Sequence, residues 1–242
     1  MKQDRNRGPR DGADWRQRPE RSNMFWLRVM TWISLKLGRG ASRIVLYGIA
    51  AYFLAFAPTA RRMSRRYLQR VLKLPGDVGW TELFQHFLTF ASVVHDRVYL
   101  INDRFDLFDI RIHNRALIED LVAQGRGAFL IGAHLGSFEV LRAVGRRQPG
   151  MRIAMAMYQE NARKINAALS AINPNAQLDI IALGHIDSMM QVHDLLAQGT
   201  VVGMLGDRSL GKDDTRDVDF LGDPAALPLG PFRMAAIMKR PV

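Results

Sequence analysis

The sequence predicts an α/β fold in which a mixed, largely parallel sheet is flanked by helices and preceded by a basic helical segment. Three observations predict it: helix and strand patterns alternate from residue 115 onward, apolar runs lie near the N-terminus, and excess positive charge is confined to the first third. Of 242 residues, 48% are apolar, which is typical of a folded chain. The absence of cysteine excludes disulfides, thiolate-zinc sites and a cysteine nucleophile.

Positive charge is concentrated at the start of the chain. Residues 1–73 contain 17 Lys and Arg against 4 Asp and Glu, whereas the remaining 169 residues carry a net charge of −2. Such a segment suits either nucleic acid or an anionic membrane. Because the charges flank two strongly apolar stretches, the pattern favours a membrane surface, and no nucleic-acid partner is expected.

The chain divides into three predicted parts. Residues 1–23 are rich in Arg, Asp, Gly and Pro and lack apolar periodicity, which predicts a disordered basic leader. Residues 24–73 are predicted to form a membrane-associated helical segment, in which an interfacial helix ends at Gly38-Arg39-Gly40. Residues 74–242 are predicted to form the α/β domain.

The membrane-associated segment contains 17 uncharged residues, from Ile44 to Ala60. At about 1.5 Å per residue this stretch barely matches the thickness of a bilayer core. Arginines lie on both sides of it, so a monotopic or re-entrant hairpin explains the charges better than a single span. A buried core helix is the alternative. The basic cluster at 61–73 predicts a helix lying against anionic headgroups.

Apolar patterns in the α/β part predict individual helices and strands. An apolar face from Leu83 to Val98 predicts a helix over 80–101. Further along, the patterns predict helices over 115–124, 161–172 and 186–198 and strands over 127–132, 152–157, 178–183 and 200–205. The pattern Leu-x-Ala-Gln-Gly occurs twice, before the strands that lead to His134 and to Asp207. Because ligands bind beyond the carboxyl ends of parallel strands, these two residues are expected at the same edge.

The segment around His134 predicts a strand, a glycine-bearing bend and the start of a helix. His134 in the bend can meet Glu139 in the first helical turn, because Gly136 makes the bend feasible and a carboxylate is stabilised near a helix N-terminus. A carboxylate bonded to one imidazole nitrogen leaves the other free to take a proton from a hydroxyl. The pair is thus interpreted as a general base and its orienting acid. A polar core histidine and a surface acid are the alternative.

Three sequence blocks occur in this order along the chain: Gly132-Ala-His-Leu-Gly-Ser-Phe-Glu139, Gly206-Asp-Arg-Ser-Leu-Gly211, and Val218-Asp-Phe-Leu-Gly-Asp-Pro-Ala225 with Pro228 to Met234. From about residue 24 to its end, the chain resembles the bacterial lipid A biosynthesis acyltransferases of the lauroyl/myristoyl type, in the lysophospholipid acyltransferase superfamily. The resemblance implies a glycerolipid acyltransferase-like fold in which His134 and Glu139 are catalytic.

The resemblance also implies a set of substrate contacts: Gly136, Ser137, Tyr158, Arg163, Asp207, Arg208 and Gly222. Arg208 would hold a phosphate or sugar-phosphate oxygen, with an ion pair to Asp207 or Asp213 as the alternative. Gly222 would belong to a small-residue wall beside the acyl chain, with ordinary turn chemistry as the competing account. The family's Tyr-Arg-like pair is altered here, since Tyr158 is followed by Gln159 and the nearest basic residues are Arg163 and Lys164. Neither a metal nor a cofactor is expected.

The implied activity moves a fatty acyl group from a thioester of acyl carrier protein or coenzyme A to a hydroxyl of a lipid A-like acceptor. Lipopolysaccharide synthesis at the cytoplasmic face of a bacterial inner membrane is the implied setting. A glycerophospholipid-type lysolipid acyltransferase and a non-catalytic membrane-surface lipid-binding protein are the alternatives. The chain stops at Arg240-Pro241-Val242, where family members continue, so the α/β domain is expected to be C-terminally incomplete.

Overall fold

The computed structural model describes residues 24–73, 76–136, 140, 150–158, 167–173, 179–209 and 214–242. The predicted leader at 1–23 lies outside these residues, and so do residues 161–166 of the predicted helix 161–172. The remainder of that helix, 167–172, is helical.

Three helices form the N-terminal part: α1 (Met24–Phe56), α2 (Pro58–Leu72) and α3 (Trp80–Ile101). Gly38 interrupts α1 with a φ of 79° and a ψ of 171°, which confirms the predicted break. The next helix starts inside the predicted uncharged stretch, because Pro58 lacks an N–H and takes the first helical position without losing a hydrogen bond. The sequence predicted a monotopic or re-entrant hairpin in this segment but not the residue at which the chain bends.

A helix that spans a bilayer must be both long enough and sufficiently apolar. No single described helix meets both requirements. The pair Leu27–Phe56 and Pro58–Leu72 meets them together, with a bend of 98° between its members. Membrane association of this segment stays a prediction.

A buried polar cluster ties the kink of α1 to α3. Nε2 of His95 lies 2.9 Å from Oγ of Ser42 and 3.1 Å from Oγ of Ser34. Both hydroxyls donate to carbonyls one helical turn earlier, so they accept from the ring, which places the proton of neutral His95 on Nε2. Burial lowers the pKa of His95, which keeps this ring neutral at neutral pH. Hydrogen bonds therefore hold the bent shape of α1 against α3.

Among the described residues, the α/β part contains four parallel strands: β1 (Ala128–Gly132), β2 (Ile153–Tyr158), β3 (Asp179–Leu183) and β4 (Val201–Leu205). They are arranged in the order β1-β4-β2-β3. They are accompanied by helices α4 (Arg115–Ala123), α5 (Ile186–Ala197) and α6 (Gly230–Met238) and by the helical stretch 167–172. An antiparallel hairpin joins β5 (Thr215–Phe220) to β6 (Asp223–Pro228). The predicted largely parallel α/β architecture is confirmed.

The main core lies between one face of the parallel sheet and helices α5 and α6. Alternate strand residues point into it, as the two-residue side-chain period of a strand requires. Its buried members include Phe129, Ala154, Ala156, Ile181, Val202 and Met204 from the strands and Val192, Leu196, Met234 and Ala235 from the helices. This packing fixes the relative positions of the strand ends at which the predicted site lies.

Gly127, directly before β1, is packed against the last turn of α5. A Cβ atom at this position would lie 2.2 Å from the carbonyl oxygen of Leu196 and 2.6 Å from its Cα. Since backbone atoms cannot rotate away, Gly127→Ala is expected to lower the free energy of unfolding by about 1–3 kcal/mol. Chemical denaturation followed by circular dichroism in mild detergent measures the change.

Gly48→Ala is the matched control for that experiment. Gly48 lies within α1, and a Cβ there would have no neighbour within 4 Å. Alanine in an unobstructed helix position is expected to raise the free energy of unfolding by about 0.5–1 kcal/mol. Equal effects of the two substitutions would contradict the close approach of β1 to α5.

Candidate active site

Two neighbouring strands bring His134 and Asp207 to the same edge of the sheet. Strand β1 pairs with β4 so that Gly132 lies opposite Leu205. The N–H of Gly206 donates to the carbonyl of Gly132 at 2.9 Å, which extends the pairing by one residue. His134 and Asp207 each lie two residues beyond the last paired position, so the register itself places them side by side. The expectation of a shared edge is confirmed.

The two side chains are joined by three hydrogen-bonding contacts. Nδ1 of His134 lies 3.0 Å from Oδ1 and 3.1 Å from Oδ2 of Asp207. The backbone N–H of His134 donates to Oδ2 at 3.0 Å. With one carboxylate held by both the ring and the main chain, the orientation of the imidazole relative to the strand is defined.

The ionisation of Asp207 follows from these contacts. Partial burial by itself raises the pKa of this carboxyl, but the hydrogen bonds from the backbone N–H and ring of His134 outweigh burial and bring the pKa below its ordinary value. An ionised carboxylate only accepts hydrogen bonds, so the neutral imidazole carries its proton on Nδ1. Nε2 of His134 then presents a lone pair, and it has no hydrogen-bond partner among the described residues.

The pair is accessible from outside the protein. The side chain of His134 is 37% exposed and that of Asp207 is 27% exposed. Leu135, the next residue, is 92% exposed. Gly136 has a φ of +77°, a conformation that glycine adopts without strain and that turns the chain away from the strand direction. More than a third of the His134 side chain is therefore open to a substrate.

Gly206 makes the close packing behind the pair possible. It is buried, and a Cβ there would lie 3.1 Å from Cγ2 of Ile131 and 3.8 Å from the ring of Phe232. A side chain at position 206 would push these groups apart. The glycine thus lets β1, β4 and α6 converge directly beneath Asp207.

The other predicted substrate contacts lie in different places. Tyr158 ends β2, which neighbours β4, so it lies at the same carboxyl edge as the His134–Asp207 pair. Arg208 is exposed and does not pair with Asp207, which removes one of its two predicted ion pairs. Gly222 lies in the turn of the β5–β6 hairpin with a φ of +83°. The structure therefore explains glycine at 222 by its turn, and an acyl-chain contact there stays a prediction.

Several predicted residues cannot be placed. Ser137, Glu139, Arg163 and Asp213 lie outside the described residues. The assignment of Glu139 as the orienting acid therefore stays a prediction, as does an ion pair between Arg208 and Asp213. Within the described ranges, no three His, Asp or Glu side chains are grouped in a way that could hold a metal ion.

Sequence reasoning missed the direct bond between Asp207 and His134. It assigned Asp207 to a substrate pocket and the orienting role to Glu139. A signal was present in the repeated Leu-x-Ala-Gln-Gly pattern, since equivalent helix ends before adjacent strands imply equivalent positions after them. The repeated pattern does not contain the register between β1 and β4. Without that register, the sequence predicts a shared edge but not the 3.0 Å contact between Nδ1 of His134 and Oδ1 of Asp207.

The arrangement has the parts of a general-base site: an oriented imidazole, a lone pair on Nε2 and an open approach. A search of curated proteins finds no match to this chain. The family model for bacterial lipid A biosynthesis acyltransferases matches residues 11–242, nearly the whole chain. The chain belongs to the bacterial lipid A biosynthesis acyltransferase family, and is thus an acyltransferase that acts on lipid.

Proposed function

We propose that this protein moves a fatty acyl group from a thioester donor to a hydroxyl of a lipid A-like acceptor, with His134 as the general base. The observation that carries the proposal is the bond between Nδ1 of His134 and the ionised carboxylate of Asp207, with Nε2 directed away from that bond. In a family of lipid acyltransferases, such a base at the carboxyl edge of the sheet is in the place where substrates bind.

The chemical step needs no covalent bond to the protein. Nε2 of His134 takes the proton of the acceptor hydroxyl as the oxygen attacks the thioester carbonyl. The tetrahedral intermediate collapses by breaking its carbon–sulfur bond, and the imidazolium returns the proton to the leaving thiolate. The products are an ester and a free thiol, and Asp207 stabilises the transient positive charge on His134 throughout.

Donors around the bend are suited to the charge that develops on the carbonyl oxygen. Backbone N–H groups of the glycine-containing bend and the exposed guanidinium of Arg208 are the candidates for stabilising this oxyanion. Arg208 equally suits a phosphate or sugar-phosphate oxygen of the acceptor, because its planar fork binds such groups bidentately. Tyr158 is the candidate contact on the other side of β4.

The proposed setting is the cytoplasmic face of the bacterial inner membrane, where acyl carrier protein and coenzyme A thioesters are available. Large apolar side chains of α1 support attachment to lipid, since Trp32, Ile44, Tyr52 and Phe56 are each more than half exposed. Exposed apolar groups at this density mark an interaction surface. Attachment through α1 and α2 brings the site near an acceptor and a product that are both dissolved in the bilayer.

A substrate-resolved acyl-transfer assay tests the proposal. The full chain, purified in mild detergent, is incubated with radiolabelled acyl donors on acyl carrier protein or coenzyme A and with either a lipid A precursor or a lysophospholipid. A new ester on the lipid A precursor, identified by mass spectrometry, is the expected result.

The other outcomes of this assay each exclude part of the proposal. Ester formation only on the lysophospholipid would assign the protein to glycerophospholipid synthesis. Binding of lipid vesicles with no ester on either acceptor would support a non-catalytic lipid-binding role. A labelled protein intermediate that survives removal of excess donor would exclude direct transfer.

A further inference from the structure

The β5–β6 hairpin has an apolar tip that points into solvent. Its turn consists of Leu221 and Gly222, whose φ values are +54° and +83°. Two positive values identify a turn of type I′, in which Asn, Asp or Gly is preferred at the first position. Leucine there is conformationally unfavourable, and it is 42% exposed, while Phe220 is 61% exposed. Both residues thus present apolar surface to solvent.

The two faces of the hairpin differ in character. Cross-strand partners project from the same face, so the register groups Phe220 with Asp223 and Val218 with Ala225. The opposite face carries Asp217 and Asp219 together with their partners Ala226 and Pro224. One face is therefore largely apolar and the other acidic.

An ion pair attaches the apolar face of the hairpin to α2. The carboxylate of Asp223 contacts the guanidinium of Arg70. Phe220 is the cross-strand partner of Asp223, so it shares the face from which this ion pair is made. The ion pair thus joins the hairpin to the basic helix next to the exposed apolar tip.

The outer surface of α2 combines basic and apolar side chains. Arg62, Arg66 and Arg70 are spaced four residues apart and exposed, and so are Met63, Tyr67 and Val71. Within the described part of the chain, Arg62 and Arg66 have no carboxylate partner. A shallow cleft of about 360 Å³ is lined by Arg66, Gln69 and Arg70. Two adjacent stripes of this kind are typical of a helix that lies in a lipid–water boundary.

We propose that the hairpin tip and α2 together dock on an anionic bilayer. Phe220 and Leu221 enter the boundary between headgroups and acyl chains, while Arg62 and Arg66 contact headgroup phosphates. The docking proposal rests on the proposed function and deepens it. The hairpin follows Asp207 closely in the chain, and an ion pair between Asp214 and Arg233 joins the open end of the hairpin to α6. Docking of the tip would bring the active-site edge toward the lipid.

A bilayer explains this surface better than an acidic carrier protein does. The arginines of α2 complement either one. An exposed phenylalanine and a leucine in an unfavourable turn conformation have no counterpart on a charged, soluble surface, whereas the interior of a bilayer accommodates both. The carrier protein is therefore an outcome of the test and not part of the proposal.

Because the chain contains no cysteine, a single introduced thiol carries a probe at one defined position. Phe220→Cys in the full chain is labelled with an environment-sensitive fluorophore and mixed with vesicles of phosphatidylcholine, with and without phosphatidylglycerol. With the anionic vesicles, the emission is expected to shift to the blue, to rise about two-fold or more, and to be quenched by lipids that carry a nitroxide on the acyl chain. Asp217→Cys, on the acidic face of the same hairpin, is the matched control and is expected to change little.

Charge dependence is tested in the Phe220→Cys protein. Replacing Arg62 and Arg66 by Gln is expected to reduce the response to phosphatidylglycerol several-fold, since the headgroup contacts are lost. Arg111→Gln, which removes an exposed arginine bonded to Asp109, is the control and is expected to leave it unchanged. An equal loss in both proteins would contradict the assigned role of α2.

Three results would overturn the proposal: no response at position 220, equal responses at 220 and 217, or a response to acyl carrier protein that vesicles do not produce. None of these measurements requires turnover. The same response is expected when His134 is also replaced by Ala, so loss of catalysis and loss of docking are separately observable. Absence of acyl transfer with an intact response at 220 would leave docking standing and exclude the proposed function.

Discussion

Replacing His134 with alanine is expected to lower kcat/KM for acyl transfer by about a thousand-fold, the range expected for removal of a general base. The imidazole is the only base held at this edge by a carboxylate among the described residues, and its Nε2 is the atom to which the acceptor proton moves in the proposed step. The effect should fall on kcat, because the ring acts on the transition state and contributes little to ground-state binding. Initial rates at varied donor and acceptor concentrations measure both constants.

His193→Ala provides the matched control. Nδ1 of His193 lies 3.3 Å from Oδ1 of its neighbour Asp194, so this pair imitates the chemistry of the site on the surface of α5, where the side chains are 61% and 69% exposed. No loss of rate is expected there, and thermal unfolding should be unchanged in both variants. A His134→Ala protein that retains the wild-type rate and lipid products would exclude His134 as the base.

Asp207→Asn is expected to lower kcat by about a hundred-fold with a smaller effect on KM, because an amide can donate to Nδ1 and stabilise the wrong tautomer. The lowered pKa of Asp207 means that its carboxylate is charged above the ordinary carboxyl range and loses this interaction only as the pH falls through the lowered value. Across the neutral pH range, titration of Asp207 itself is therefore expected to contribute no change to the rate ratio between wild type and variant. Parallel pH–rate profiles measure it.

Coupling between the two residues is the sharper measurement. If Asp207 acts through His134, adding Asp207→Asn to His134→Ala should produce no further loss of rate. Asp194→Asn is the control for a surface His–Asp pair and is expected to have no effect. If instead Glu139→Gln loses the rate and Asp207→Asn keeps it, the orienting carboxylate is Glu139, as the sequence alone predicts.

The organisation of the α/β part was largely predictable from the sequence. Apolar strands between glycine-ended helices carry a strong periodic signal, and all four predicted strands occur within two residues of their predicted limits. The kink at Gly38 was predictable for a similar local reason, since glycine adopts a positive φ without strain. The turn of the hairpin was harder to predict from the sequence. Asp223 and Pro224 are typical turn residues, but they belong to β6, and the turn consists of Leu221 and Gly222.

What the sequence determined by itself was the set of local choices: which segments are helices and strands, where glycines interrupt them, and which strand end is followed by a histidine, His134. The tertiary structure alone decided that Asp207 bonds this imidazole. His134 and Asp207 are 73 positions apart, and no local pattern encodes their contact, because it arises from the parallel register of β1 on β4. That register depends on the packing of α5 and α6 against the sheet, and a one-residue slip would turn the two side chains away from each other.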